Sequence, residues 1–142
     1  VITDLNGLAT FTDISYGSYT IKETRAPKGF NLSDEILNVE VNGTETGKTY
    51  KAGTITDTKI KSSIKIKKLD QDGKVLQGAE FTLYDSNNNA LETVVSDKDG
   101  IIVFNDVIYG DYYIKETKAP DGYVSSRDII KVSIIENGVV YY

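Results

Sequence analysis

The run Tyr16-Gly17-Ser18-Tyr19-Thr20-Ile21-Lys22-Glu23-Thr24-Arg25-Ala26-Pro27-Lys28-Gly29-Phe30 returns as Tyr109-Gly110-Asp111-Tyr112-Tyr113-Ile114-Lys115-Glu116-Thr117-Lys118-Ala119-Pro120-Asp121-Gly122-Tyr123. From Glu23 to Glu116 the offset is 93 residues. Upstream, Asp4, Gly7, Phe11 and Asp13 meet Asp97, Gly100, Phe104 and Asp106; downstream, Ile36 and Val39 meet Ile129 and Val132. Self-similarity at a fixed period marks copies of one module, and this period suits one small domain. A chain of 142 residues holds only part of two copies. The counterpart of Lys68 would precede Val1, and that of Asp57 would follow Tyr142. Residues 1–60 therefore read as the C-terminal part of a first module without its N-terminal strands. Residues 61–142 read as a second module without its last strand, with the boundary near Lys59 to Ser63.

The repeating unit is all-β. Alternating or β-branched runs cover Ser63 to Leu69, Glu80 to Tyr84, Ile101 to Phe104, Tyr112 to Thr117, Ile129 to Ile135 and Val139 to Tyr142. Turn pairs separate them: Asp72-Gly73, Asp99-Gly100, Asn137-Gly138, and earlier Asn6-Gly7 and Asn42-Gly43. Glu136-Asn137-Gly138 reads as a hairpin turn. Ala90 to Val95 alone reads as a candidate helical turn. Short strands punctuated by Gly, Asn and Asp predict a β-sandwich.

Composition narrows the chemistry. There is no Cys and no His, so disulfides, thiolate nucleophiles and the commonest general base are excluded. A net charge of −5 argues against nucleic acid as a partner. No apolar run approaches the ~18 residues of a membrane helix. Such a chain is a poor enzyme candidate, needs no cofactor or metal, and as a secreted domain would want a staple other than a disulfide.

Strand alternation sorts the charged residues. Lys68 shares a face with Ile64 and Ile66, while Lys65 and Lys67 point to solvent. Glu116 shares a face with Tyr112 and Ile114, and Glu23 repeats this after Tyr19 and Ile21. Asp57 follows Ile55 inward. Charges on apolar faces are rarely left unpaired, because desolvation costs several kcal/mol each. Three readings stay open at this point: buried ion pairs, chemistry that removes the charge, or strand ends that open to water.

Three motifs resemble the Cna B-type domain family of surface adhesins and pilins in Gram-positive bacteria. They are the E-box-like run Tyr112 to Tyr123 with its copy Tyr19 to Phe30; Lys68-Leu69-Asp70 leading into Gly73 to Asp85; and Ile55-Thr56-Asp57-Thr58-Lys59. The resemblance implies a prealbumin-like (Ig-like) β-sandwich. It also implies an intramolecular isopeptide bond between a first-strand Lys and a last-strand Asn or Asp, assisted by the E-box Glu. By position, Lys68 matches the nucleophile and Glu116 the assisting acid of the second module. Glu23 matches the acid and Asp57 the acceptor of the first. With Asp in place of the commoner Asn, water would leave instead of ammonia.

The chemistry is coherent. An apolar core favours a neutral, nucleophilic amine and a protonated carboxyl group. Such an acid can hydrogen-bond the acceptor carbonyl and shuttle protons. Contact between fixed groups can supply an effective molarity of ~10⁵ M or more. The reaction turns over once, so it is self-processing rather than enzymology. By analogy with disulfides that close long loops, the cross-link would add about 4–5 kcal/mol.

No module within the chain carries Lys, Glu and acceptor together, so the sequence reads as a piece of a longer protein, with strand exchange between chains as the alternative. The resemblance implies a cell-wall-anchored, extracellular stalk module whose partners are neighbouring modules. A host matrix protein or glycan is the partner if the module binds directly. Asp97-Lys98-Asp99-Gly100 and Asp70-Gln71-Asp72-Gly73 read as turns rather than calcium loops, since neither continues to further ligands. Asn42-Gly43-Thr44 is a glycosylation sequon overlapping a turn, and Tyr112-Tyr113 and Tyr141-Tyr142 are candidate contact surfaces.

Overall fold

The computed structural model describes residues 1–43 and 47–142, so Thr44 of the sequon lies outside the described residues. Among the described residues there are eleven strands: β1 (Gly17–Lys22), β2 (Phe30–Asn31), β3 (Ile36–Val41), β4 (Thr58–Lys59), β5 (Lys61–Lys67), β6 (Glu80–Asp85), β7 (Ala90–Val95), β8 (Ile101–Ile108), β9 (Gly110–Lys118), β10 (Ile129–Ile134) and β11 (Val140–Tyr141). Two units form. One holds Val1–Ala26 and Leu32–Asp57; the other holds Pro27–Asn31 and Thr58–Tyr142.

The second unit is a sandwich. A four-stranded sheet of order β10-β9-β6-β7 faces a three-stranded sheet of order β11-β5-β8. Alternation fills the space between them: Ile64 from β5, Phe81 and Leu83 from β6, Ile102 and Phe104 from β8, Ile114 from β9 and Ile134 from β10 form one core. Ile102, Phe104, Ile114 and Ile134 are fully buried, and each such side chain contributes roughly 1.5–3 kcal/mol. Within the four-stranded sheet, the hydroxyls of Thr82 and Thr93 bond across β6 and β7 at 2.8 Å, which gives the buried Thr82 hydroxyl a partner.

Two local readings change. Ala90 to Val95 is strand β7, paired antiparallel with β6, and not a helical turn. Its β-branched Thr93, Val94 and Val95 suit a pleated surface, and a neighbouring strand supplies the hydrogen bonds. Asn137-Gly138 is not a hairpin turn either. β10 stays in one sheet while β11 crosses to the other, where Val140 and Tyr141 pair parallel with Ser63 and Ile64. The corner is held from β5: Asn137 Oδ1 accepts the Lys61 amide at 2.9 Å, and the Ser62 hydroxyl donates to the Glu136 carbonyl and accepts from the Val139 amide.

In the first unit β1 and β3 pair antiparallel. Its backbone repeats that of the second unit at the corner before β1, although residues 8–15, the counterparts of β8, form no strand. Asp13 and Asp106 adopt φ of 57° and 54°, and Gly17 and Gly110 adopt 152° and 151°. The Tyr19 hydroxyl donates to the Ser15 carbonyl at 2.9 Å and that of Tyr112 to the Ile108 carbonyl at 3.0 Å, with each ring lying over its glycine. Burial differs, however: Phe104 is fully buried and its counterpart Phe11 is 47% exposed.

Candidate functional site

In the second unit β9 turns Tyr112, Ile114 and Glu116 to one face, and all three are buried. Lys68 follows β5 immediately. Its amide donates to the Gly100 carbonyl at 2.7 Å, and its carbonyl accepts the Leu76 amide at 3.1 Å. Gly100 at φ 72° lies so close that a Cβ there would stand 2.6 Å from the Lys68 carbonyl oxygen. The lysine is thereby aimed at the core end of the sheet, its ammonium 6.0 Å from the centre of the Phe81 ring.

Lys68 and Glu116 meet. Nζ lies 3.1 Å from each carboxylate oxygen, with side chains 17% and 1% exposed. Hydrogen-bonding geometry is satisfied only at Oε2, which also accepts the Ser126 amide at 2.6 Å. Oε1 is buried with no donor aligned on it. A buried carboxylate with one oxygen saturated and the other unassigned is an uncommon arrangement.

The first unit repeats half of this geometry. Glu23, just past β1, accepts the Ser33 amide on Oε2 at 3.0 Å. In the same unit, burial first, then hydrogen bonding to Glu23 and the charges of Glu23 and Glu35, push the Asp57 carboxyl above its ordinary value of 3.8. Asp57 Oδ1 is likewise buried without a donor. Asp57 is not within a strand; only Thr58 and Lys59 of its run are, and these pair with Phe30 and Asn31. So the structure joins Lys68 with Glu116, and in the other unit the Asp57 carboxyl feels the charge of Glu23.

Sequence reasoning missed Ser33 and Ser126, each ten residues after its glutamate. The signal was the repeat itself. Ser33 and Ser126 differ by the same 93 residues, each followed two positions on by an acid whose amide bonds back to the serine hydroxyl: Glu35 at 3.3 Å and Asp128 at 3.1 Å.

The Asp-x-Asp-Gly loops spend their carboxylates on turns. Asp70 Oδ1 accepts the amides of Asp72 and Lys74, and Asp97 Oδ1 those of Asp99 and Ile101. These backbone donors hold Asp70 below its ordinary value. Of the paired tyrosines, Tyr112 is buried and Tyr142 is 81% exposed.

Comparison with known proteins bears on the fold and the family. The chain is 42% identical over 69 residues to serine-aspartate repeat-containing protein D of Staphylococcus aureus (strain Newman), covering 45% of this chain and 5% of that protein. The Bacillus anthracis TIE protein superposes with a TM-score of 0.87 at 31% identity, over 98% of this chain and 26% of that one. BcpA*(D312A), the major pilin subunit of Bacillus cereus, superposes with a TM-score of 0.55 at 27% identity, over 82% of this chain and 38% of that one. The chain thus spans a small part of each relative. The prealbumin-like sandwich and the Cna B-type resemblance both hold. The SpaA prealbumin-like fold domain matches twice, at residues 1–59 and 62–142, and the chain belongs to that family.

Proposed function

We propose that this chain is a load-bearing stalk segment of an extracellular, cell-wall-anchored adhesin or pilin of a Gram-positive bacterium, and that its modules close themselves with Lys–Asp isopeptide bonds. Its partners in that role are the neighbouring modules. The observation that carries the reading is the matched pair of acid clusters. A half-buried lysine faces Glu116 in one unit, and a half-buried acceptor carboxyl feels the charge of Glu23, the same repeat position, in the other.

In a whole module the two halves meet around one glutamate. The ammonium passes a proton to the glutamate, and the freed amine attacks the aspartate carboxyl carbon. The glutamic acid hydrogen-bonds the carbonyl oxygen of the protonated aspartate as charge develops there, gives its proton to the departing hydroxyl, and takes up the second proton that the nitrogen sheds. A C–N bond forms, a C–O bond breaks, and one water leaves. The relatives support the mechanical role, one being a pilin subunit.

The test uses an extended chain in which residues 1–93 precede Val1, so that the repeat register runs on unbroken. The middle module then owns Lys68 from the added segment together with Glu23 and Asp57. Its intact mass should be one water below the translated sum, and Glu23→Ala or Asp57→Ala should restore the full mass. An extended chain of full mass with a protected Phe11 core would overturn the cross-link.

A further inference from the structure

The loop after the first E-box belongs to the second unit. There the Gly29 carbonyl accepts the Ile60 amide at 2.9 Å, and the Ile60 carbonyl accepts the Tyr109 amide at 3.0 Å. Gly29 lies flat on the Tyr109 ring, where an added Cβ would stand 3.3 Å from two ring carbons; its φ of 87° is one that other residues rarely adopt. Lys28 Nζ sits 5.7 Å from the centre of the same ring. Tyr109 is half-buried in consequence.

The repeat counterpart of Tyr109 is Tyr16. Its corner has the same backbone, with Gly17 at the φ of Gly110 and the Tyr19 hydroxyl bonded as that of Tyr112 is. Yet Tyr16 is 78% exposed. The same loop recurs as Pro120-Asp121-Gly122-Tyr123, where Gly122 has a φ of 85°, matching Gly29. A module of this type thus bears a donor loop on one side and an acceptor tyrosine on the other, and the two fit head to tail.

We infer that the Tyr16 corner is a docking site for the Pro-x-Gly-aromatic loop of another module of this kind. The occupant is set by what covers the identical corner at Tyr109. The contact is small, and tethering along one chain supplies the effective concentration that makes it form. A Lys at the second loop position adds attraction for the ring face. Asp121 occupies that position in the second copy, so its loop would dock through Gly122 and the backbone alone.

The inference rests on the repeat and not on cross-linking, and the same extended chain tests it by a separate readout. Tyrosine nitration, mapped by peptide mass, should strike Tyr16 faster than Tyr109 in the 142-residue chain. With residues 1–93 placed before Val1, Tyr16 should slow several-fold, to near the rate of Tyr109. Gly29→Val in the added segment should restore the fast rate, and Lys28→Ala, which leaves the backbone alone, should restore part of it. Unchanged nitration of Tyr16 in the extended chain overturns the proposal, and so does slowing that neither substitution relieves.

Discussion

Replacing Lys68 by Met keeps most of the side-chain length and removes the ammonium. Glu116 would then retain a single donor, the Ser126 amide, with its carboxylate almost wholly buried and Oε1 without a partner. Removing one member of a buried ion pair typically costs about 3–5 kcal/mol. Because the Lys68 side chain keeps 17% exposure, the lower end applies. With a urea slope of about 1.5 kcal/mol per molar, a loss of about 3 kcal/mol moves the midpoint down by about 2 M. The assay is urea-dependent hydrogen exchange at the slow amides of β9, which reads the second unit separately from the first. Adding Glu116→Leu to Lys68→Met removes the orphaned carboxylate and should recover most of the loss. The reasoning fails if Lys68→Met costs under about 1 kcal/mol, the scale of an exposed pair, or if the double variant is no more stable than the single one.

Gly100→Ala must hold a left-handed residue with its methyl against the Lys68 carbonyl. It should cost about 2–4 kcal/mol, whereas Gly138→Ala, with φ of 71° and open space around it, should cost only about 1 kcal/mol; equal losses in chemical denaturation would contradict the clash. Asp57 has a folded-state value above its unfolded value, so between those two values the native state binds more protons and stability falls as pH rises. Asp57→Asn should therefore stabilise the first unit at neutral pH and flatten its pH dependence; a variant that keeps the wild-type slope just above the ordinary Asp range would refute this. Tyr112→Phe removes the bond to the Ile108 carbonyl and should lower the melting stability of the second unit by about 0.5–1.5 kcal/mol, an effect absent if the hydroxyl is equally well hydrated in the native state.

Much of the fold was legible because period-2 alternation writes burial directly into the chain. Ile64, Tyr112, Ile114 and Glu116 all lie on the face that alternation assigned to them. The contact between Lys68 and Glu116 follows from two such faces meeting across one core. What alternation could not reveal is which sheet a strand joins. Val139 to Tyr142 reads the same whether it folds back on β10 or crosses to β5, and side-chain hydrogen bonds from Ser62 and Asn137 decide between the two. Ala90 to Val95 was ambiguous because its outer position leaves five of its six residues exposed, erasing the pattern that would mark a strand. The Ser33 and Ser126 amides were invisible for another reason: a backbone donor carries no residue signature of its own.

The parallel pairing of β11 with β5 has a consequence for a chain under tension. Strands that run the same way side by side, when drawn from opposite ends, slide along their common axis. Every hydrogen bond between them is then strained at once. A hairpin pulled from its open end would surrender its bonds singly, like a zip. The crossing at Asn137 and Gly138 therefore fixes how the second unit meets force as well as where its last strand lies.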